Sequence, residues 1–161
     1  MEPEEIYDRH GEKMYRYLAL RLGSAEDAED VLQEAFCRLA RYSVRWALVR
    51  NPRAFVFRVL RNEANRFLSK RIKQRAEGVS DLGGLDRLAC AIEQPSESSS
   101  AILARALGQL PDEQREVIVL KVYQEFSFKE IAAVCGLSVN SAASRYRYGI
   151  EKLRASLEGK V

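Results

Sequence analysis

The chain has 161 residues, of which 47% are hydrophobic and 30% charged, so its composition is that of a foldable globular protein. Its single histidine, His10, and its widely separated cysteines argue against a His-based metal site or a catalytic triad. No apolar run approaches the ~18 residues of a membrane-spanning helix, and the acidic start MEPEEIYDRH is unlike a signal peptide, so we expect a cytoplasmic protein. Cys37 and Cys135 fall on or near apolar helix faces and are predicted to be buried thiols.

The net charge of +3 hides a strong asymmetry along the chain. Residues 1–37 hold four Lys or Arg against ten Asp or Glu, whereas residues 38–75 hold twelve Lys or Arg against one acid, Glu63. Such a block of like charge is unfavourable unless a polyanion faces it. The acidic start and the basic middle therefore indicate two different partners.

Apolar residues at helical spacing predict two amphipathic helices before residue 40. The first carries Ile6, Tyr7, His10, Met14, Tyr17 and Leu18 on its apolar side. Ser24 caps the second helix, and Asp27 completes a capping box. The apolar stripe of this helix contains Ala28, Val31, Leu32, Ala35, Phe36 and Leu39, and its opposite face is acidic. That face suits both solvation near a helix N-terminus and docking of a basic protein surface, and the pattern leaves both open.

The segment 43–51 interrupts this periodicity and contains the only tryptophan, Trp46. Asn51 and Pro52 then predict the start of a third helix that runs to about residue 73. Its inward side chains are Phe55, Val56, Val59, Leu60, Ala64 and Phe67, and its polar surface carries Arg58, Arg61, Asn62, Asn65, Arg66, Lys70 and Arg71. Basic and amide side chains beside an aromatic loop suit a strand with unstacked bases. A merely solvated basic helix is the weaker alternative, given the charge count.

Residues 77–100 show no helical periodicity of apolar residues and are rich in Gly, Pro and Ser. This composition predicts a linker, with a short helical turn over 85–92. Two helices follow, over residues 101–109 and 112–123, the second with Val117, Ile118, Leu120 and Val122 on its buried side. We therefore expect an all-α fold of two small helical domains joined by a flexible linker.

The stretch SFKEIAAVCGLSVNSAASRYRYGIEKLR, residues 127–154, predicts a helix-turn-helix. Ser127 and Glu130 form a capping box, Gly136 ends the first helix, and Ser138 caps the second. Near its start, the second helix carries Asn140, Ser141, Ser144, Arg145 and Arg147. In this motif the second helix enters the major groove, where Arg, Asn and Ser contact bases and phosphates. An ordinary helical hairpin with a solvated basic face is the alternative.

Three segments, in order along the chain, resemble the extracytoplasmic-function (group 4) sigma factors of bacterial RNA polymerase. DAEDVLQEAFCRL, residues 27–39, resembles their core-polymerase-binding segment. PRAFVFRVLRNEANRFL, residues 52–68, resembles their minus-10 promoter helix, and residues 110–154 resemble their domain 4, which contacts the minus-35 element. One departure lies in the recognition helix, where Ser141-Ala142-Ala143-Ser144-Arg145 replaces the usual Thr-Val-Lys-Ser-Arg.

The resemblance implies a promoter-specificity subunit that needs no cofactor and carries no catalytic site. Sigma region 2 would span residues 1–75, a linker 76–99 and sigma region 4 residues 100–161. Core RNA polymerase and promoter DNA would be the partners, through the β′ clamp helices and the β flap, and an anti-sigma factor would be a further partner. A stand-alone helix-turn-helix regulator of duplex DNA is the alternative, but it would need no basic helix for unpaired bases.

The resemblance also assigns residues to each surface. Contacts to the β′ clamp helices would come from Asp27, Glu29, Asp30, Gln33 and Glu34. The minus-10 element would be contacted by Trp46, Asn51, Arg53, Arg58, Arg61, Asn62, Asn65 and Arg66. The minus-35 element would be contacted by Ser127, Ser138, Asn140, Ser141, Ser144, Arg145 and Arg147.

Overall fold

A computed structural model describes residues 3–42, 48–77 and 99–158, and every regular element in these ranges is a helix. The all-α fold class is therefore confirmed. The amino-terminal half contains α1 (Pro3–Leu22), α2 (Ala25–Arg41) and α3 (Pro52–Ala76). The carboxy-terminal half contains α4 (Ser99–Gln109), α5 (Asp112–Ile118), a π-helical turn (Val119–Tyr123), α6 (Phe128–Cys135) and α7 (Val139–Leu157). Trp46 and the helical turn expected over 85–92 lie outside the described residues.

Local capping interactions set the starts of α2 and α3. Asn51 accepts a hydrogen bond from the backbone N–H of Ala54 at 3.1 Å and precedes Pro52, so it caps α3 as expected. Ser24 accepts from the backbone N–H of Asp27 at 3.3 Å and caps α2. The expected capping box at this position is wrong, because the Asp27 carboxylate instead pairs with Arg71 of α3.

The amino-terminal half buries the apolar stripes of α1 and α2 against α3, with two exceptions to the sequence prediction. Tyr7 was expected on the buried side of α1 but is 58% exposed, because its ring leans on Phe36 of α2 at the edge of the helix pair. Cys37 was expected to be buried but is exposed. Cys37 lies two residues after the buried Ala35, and a step of about 200° places it on the opposite side of α2.

The carboxy-terminal half departs from the predicted helix over residues 112–123. The α-helical hydrogen-bonding pattern ends at Ile118 and a π-helical turn follows, in which the N–H of Gln124 donates to the carbonyl of Val119 at 3.3 Å. The wider turn rotates the residues after it relative to an α-helix. Val122 is 52% exposed, against the prediction, because it lies two residues after the buried Leu120 and so falls on the opposite side of the helix. Gln124, in contrast, is buried and donates to the backbone carbonyl of Lys13 in α1 at 3.0 Å.

The helix-turn-helix forms as the sequence predicts. Ser127 and Glu130 exchange two hydrogen bonds of 3.1 Å in a capping box at the start of α6. Gly136 ends α6 with a left-handed backbone, φ +68°, and Ser138 caps α7 by accepting from the N–H of Ser141 at 3.1 Å. Local capping residues and one glycine therefore set the geometry of this motif.

The two halves pack against each other and share one continuous core. The ring of Phe57 in α3 lies 5.7 Å from that of Tyr17 in α1 and 5.1 Å from that of Phe126, which precedes α6. All three rings are fully buried and meet edge to face, an arrangement that favours aromatic pairs. The core thus extends from the three-helix half into the helix-turn-helix half.

We expect Gly136→Ala to lower the free energy of unfolding by about 1 kcal/mol, because a Cβ is disfavoured at positive φ. Open space surrounds the position, so steric contact would add nothing. Gly11→Ala within α1 is the matched control, since its Cβ would make an ordinary contact with Tyr7 at 3.4 Å and alanine favours the helix. Urea unfolding measures both; equal effects of the two substitutions would contradict the account.

We expect iodoacetamide at pH 8 to label Cys37 and to spare Cys135 in the folded chain. Burial, reinforced by the nearby Glu116, raises the pKa of the Cys135 thiol to about 12. A rise of that size lowers the thiolate fraction at pH 8 by about a thousandfold. Peptide mapping by mass spectrometry measures the labelling, and the same reaction in urea is the control, where both cysteines should react. Rapid native labelling of Cys135 would contradict its burial.

Candidate protein and nucleic-acid interfaces

The exposed side of α2 forms an acidic surface. Of the five residues predicted to contact polymerase, four are exposed there: Glu29, Asp30, Gln33 and Glu34. The fifth, Asp27, is only 17% exposed at its side chain and pairs with Arg71, so its carboxylate ties α2 to α3. The acidic face predicted from the sequence therefore forms on α2, except that Asp27 pairs with Arg71 and stabilises the packing of α2 on α3.

A groove of about 980 Å³ between α1 and α2 extends this acidic surface. Its lining combines aromatic and aliphatic side chains with carboxylates. The lining residues are Tyr7, Asp8, Gly11, Glu12, Tyr15, Glu29, Leu32, Gln33, Phe36 and Cys37. Glu29 and Gln33 belong to both the groove and the acidic face, so the two form one surface. Sequence reasoning missed the contribution of α1, because Tyr7 sits at a position whose spacing predicts burial.

Residues of the carboxy-terminal half contact the start of α3. The Asn51 amide nitrogen donates to Oε2 of Glu130 in α6 at 3.1 Å. Arg53 donates from Nη2 to the backbone carbonyl of Gln124, and its guanidinium carbon lies 4.0 Å from the ring centroid of Phe126. Two residues predicted to contact the minus-10 element therefore have protein partners in this structure.

A buried carboxylate of the carboxy-terminal half contacts three side chains of the amino-terminal half, one of them further along α3. Glu116 of α5 is 2% exposed and accepts hydrogen bonds from the Tyr17 hydroxyl at 3.1 Å and from Nε of Arg61 at 2.6 Å. Nη1 of Arg21 lies 3.7 Å from the same oxygen, and Nη2 of Arg21 lies 3.1 Å from Asp112. Three side chains of the amino-terminal half, one phenol and two guanidiniums, thus surround one carboxylate of the other half.

Burial and charge in this cluster keep the Tyr17 hydroxyl neutral and the Arg61 guanidinium protonated, as their hydrogen bonds to Glu116 require. Burial raises the pKa of Tyr17 and the charge of Glu116 raises it further, so its hydroxyl remains a donor. Burial alone would lower the pKa of Arg61, but the charge of Glu116 and the hydrogen bond to it raise the pKa overall. Sequence reasoning missed Glu116, although an acid directly before the apolar Val117 and Ile118 was the available signal.

The eight residues predicted for the minus-10 element consequently fall into three groups. Four make contacts that engage or border the carboxy-terminal half: Asn51, Arg53, Arg61 and Asn65, the last accepting from Nη2 of Arg21 at 2.5 Å. Three are exposed on α3: Arg58, Asn62 and Arg66. Trp46 lies outside the described residues.

The helix α7 presents the residues predicted for the minus-35 element along its first turns. Asn140, Ser141 and Arg147 are exposed, and Ser144 and Arg145 are partly buried. The hydroxyls of Ser127 and Ser138 serve as helix caps, and Ser138 Oγ also lies 2.9 Å from Ser141 Oγ. Nη2 of Arg145 lies 3.9 Å from the carboxylate of the exposed Glu113.

Two tyrosines flank Arg147 on α7 and make different contacts. The ring of Tyr146 meets that of Phe128 at 5.5 Å, which anchors α7 on α6. The guanidinium carbon of Arg147 lies 5.2 Å from the ring centroid of Tyr148, which is itself half exposed. The two tyrosines that flank Arg147 therefore differ in role: one holds the helix and the other supports the cation at the surface.

The parts of the chain that the structure describes contain no group of three or more His, Cys, Asp or Glu side chains placed to hold a metal ion. None of their helices is long and apolar enough to cross a membrane.

Comparisons with known proteins identify the family. The model for Sigma-70 region 2 matches residues 6–74, and that for Sigma-70, region 4 matches residues 100–153. The chain is 33% identical over 158 residues to the ECF RNA polymerase sigma factor SigL of Mycobacterium tuberculosis, a match that covers 95% of this chain and 87% of SigL.

Two solved structures share the fold. The sigma factor RpoE of Bartonella quintana, in complex with the anti-sigma factor NepR, superimposes with a TM-score of 0.78 at 24% identity and covers 92% of each chain. CnrH, in complex with the cytosolic domain of CnrY, gives a TM-score of 0.73 at 26% identity and covers 99% of this chain and 89% of CnrH. On the two region matches and the identity to SigL, the chain belongs to the sigma-70 family, among its extracytoplasmic-function RNA polymerase sigma factors.

Proposed function

We propose that this sigma factor uses three separate surfaces to direct promoter-specific transcription initiation by core RNA polymerase. The groove and acidic face of α1 and α2 bind polymerase, α3 binds the melted minus-10 element, and α7 binds the minus-35 element. The single observation that carries this assignment is the placement of an acidic α2 and a basic α3 on one three-helix unit. A chain that binds only duplex DNA has no use for such an acidic surface.

The polymerase surface combines apolar area with charge. Tyr7 and Phe36 pack at 5.3 Å and offer aromatic area at the groove, while Glu29 and Asp30 supply exposed negative charge beside it. Interfaces of this kind bind through buried aromatic anchors and use rim charges for partner choice. The occupant that we propose is the β′ clamp helices, which would need a basic and apolar face to complement this surface. The exposed Val122 in the carboxy-terminal half adds apolar area for the β flap.

The two DNA-binding surfaces suit different states of DNA: α3 suits an unpaired strand, and α7 suits the duplex. Arg58, Asn62 and Arg66 recur along the exposed side of α3, where cations meet phosphates and the amide meets an unstacked base. Asn140, Arg145 and Arg147 stand near the start of the capped α7, as in a recognition helix that enters the major groove of duplex DNA. The serine hydroxyls at the caps, Ser127 and Ser138, contribute by orienting the two helices.

The cellular setting follows from this role. Core RNA polymerase and promoter DNA place the working protein in the cytoplasm, and the chain acts as a binding subunit without a catalytic site of its own. An anti-sigma factor is a further partner, because both solved relatives were captured with such a protein or with a cytosolic binding domain.

We expect Asp30→Ala to weaken binding to core RNA polymerase by about 1–2 kcal/mol, because it removes an exposed charge from the docking surface. Glu151→Ala removes an equally exposed carboxylate from α7 and should leave the affinity unchanged. Titration of fluorescent protein with core polymerase measures both affinities. If Asp30→Ala and the unmodified chain bound core polymerase with equal affinity, the proposed contact of this part of α2 with polymerase would be wrong.

We expect Arg145→Ala to weaken binding to duplex DNA with the correct minus-35 element by about 1–3 kcal/mol if the side chain contacts a base. Lys152→Ala, an exposed cation two turns further along α7, is the control. Anisotropy titrations should compare the promoter duplex with a scrambled duplex. An equal loss on both sequences would assign Arg145 to a phosphate instead.

A further inference from the structure

We propose that Glu113, which lies outside the helix-turn-helix, is a positioning residue for Arg145 and so contributes to the choice of minus-35 sequence. The inference deepens the proposed function of α7 and rests on it. The carboxylate of Glu113 holds the Arg145 guanidinium in a direction that suits a base edge and disfavours its pairing with a phosphate. None of the residues assigned to the minus-35 element from the sequence lies on α5.

Arg145 lies on the side of α7 that is turned toward α5. It follows the buried Ala142 by three residues and precedes the buried Gly149 by four, so it is about one turn from each. The Arg145 side chain is only 29% exposed, whereas Asn140 and Arg147 are exposed. The protein surface therefore limits the directions in which this guanidinium can reach.

The glycine at position 149 allows α5 to approach α7 closely. A Cβ there would lie 2.7 Å from Cδ1 of Ile118 and 3.2 Å from Cβ of Gln114, so a larger residue would push Ile118 aside and press on Gln114. Gln114 directly follows Glu113 in the chain, and Gly149 is one turn after Arg145. The close approach of the two helices thus brings Glu113 beside Arg145.

The contact between Glu113 and Arg145 is an exposed ion pair. Nη2 of Arg145 lies 3.9 Å from Oε2 of Glu113, whose side chain is 71% exposed. An exposed pair of this kind contributes little to the free energy of unfolding, so loss of the Glu113 charge should leave the fold intact. Its effect is on the arginine rotamers. A guanidinium that is oriented before binding loses less conformational entropy when it forms two hydrogen bonds to a base.

The other two acids of α5 face the amino-terminal half. Asp112 pairs with Arg21 at 3.1 Å, and Glu116 is 2% exposed and accepts hydrogen bonds from Tyr17 and Arg61. The three acids of this short helix thus have different tasks. Two of them stabilise the packing of the halves, and Glu113 adds negative charge beside the recognition helix.

A carboxylate beside an arginine favours a base over a phosphate as its DNA partner. Phosphate oxygens carry the negative charge of the duplex and are repelled by the carboxylate, whereas the base edges are neutral. An arginine held in this way can still donate two hydrogen bonds to O6 and N7 of guanine. Glu113 therefore lowers the affinity for an arbitrary duplex more than the affinity for the correct one, which increases sequence discrimination.

The first test compares Glu113→Gln with the unmodified full chain. This substitution keeps the shape of the side chain and removes its charge. Glu158→Gln, an exposed acid just after α7, is the control for the change in net charge. The probes are a fluorescent duplex from the DNA upstream of the chain's own gene and a scrambled duplex of equal composition. We expect Glu113→Gln to bind the scrambled duplex about fivefold more tightly, with no such gain on the upstream duplex or for Glu158→Gln.

The salt dependence of binding tests whether Glu113 acts through Arg145. A released Arg145 can pair with a phosphate, so the slope of log affinity against log salt for the scrambled duplex should steepen by about one in Glu113→Gln. The steepening should be absent when Arg145→Ala is combined with Glu113→Gln. A change in helix packing alone would not depend on Arg145, so an equal steepening in the double variant would overturn the proposal.

The conservative variant Glu113→Asp keeps the charge and should retain more sequence discrimination than Glu113→Gln. Equal discrimination by these two variants would contradict a role for the charge. Arg145→Ala, measured in parallel, separates this inference from the proposed function. If Arg145→Ala loses discrimination and Glu113→Gln keeps it, only the role of Glu113 is wrong. If neither variant changes discrimination, the assignment of Arg145 to the minus-35 element is wrong, and the role of Glu113 is wrong with it.

Discussion

The carboxylate of Glu116 lies between the two halves of the chain and is almost completely removed from solvent. A buried charge is tolerated only where opposite charge and hydrogen-bond donors compensate for the lost water. Tyr17, Arg21 and Arg61 supply these donors, and all three come from the amino-terminal half. This cluster therefore contributes to the relative placement of the halves, and Arg61 links it to the surface that we assign to promoter DNA.

The same half keeps an acidic and a basic surface apart within three helices. Ion pairs of Asp27 with Arg71 and of Glu63 with Arg38 cross between α2 and α3 and use charges that face each other inside the bundle. The remaining acids of α2 are exposed, and so are most of the remaining cations of α3, namely Arg58, Arg66, Lys70, Lys73 and Arg75. Two partners of opposite charge can thus bind one small unit at the same time, which a sigma factor requires when it holds polymerase and DNA together.

Much of the local structure could be predicted from the sequence, because short-range chemistry determines it. Asn51 before Pro52, Ser127 with Glu130, and Gly136 before Ser138 each define a helix boundary within four residues. The errors arose where the outcome depends on tertiary packing. Helical spacing cannot distinguish a core position from the edge of a groove, which is why Tyr7 was misplaced. It also cannot foresee the π-helical turn over Val119–Tyr123 that interrupts the predicted helix.

The residues of the candidate binding surfaces could also be predicted from the sequence, but their contacts with the other half of the chain could not. The charge pattern and the family motifs identified acidic, basic and recognition-helix residues, and their assignment to polymerase and DNA stays a prediction. The contacts of Arg53 with the Gln124 carbonyl and of Asn51 with Glu130 join residues more than 70 positions apart. Periodicity and capping signals extend over a few turns at most, so the sequence pattern carried no indication that these side chains are covered.

The central claim is that the chain directs core RNA polymerase to promoters. Run-off transcription with purified core polymerase, with and without the chain, on the DNA upstream of its own gene tests this claim most directly. The account predicts a discrete transcript that appears only when the chain is present. A chain that fails to bind core polymerase, gives no transcript and yet binds duplex DNA would contradict the account and identify a stand-alone helix-turn-helix regulator.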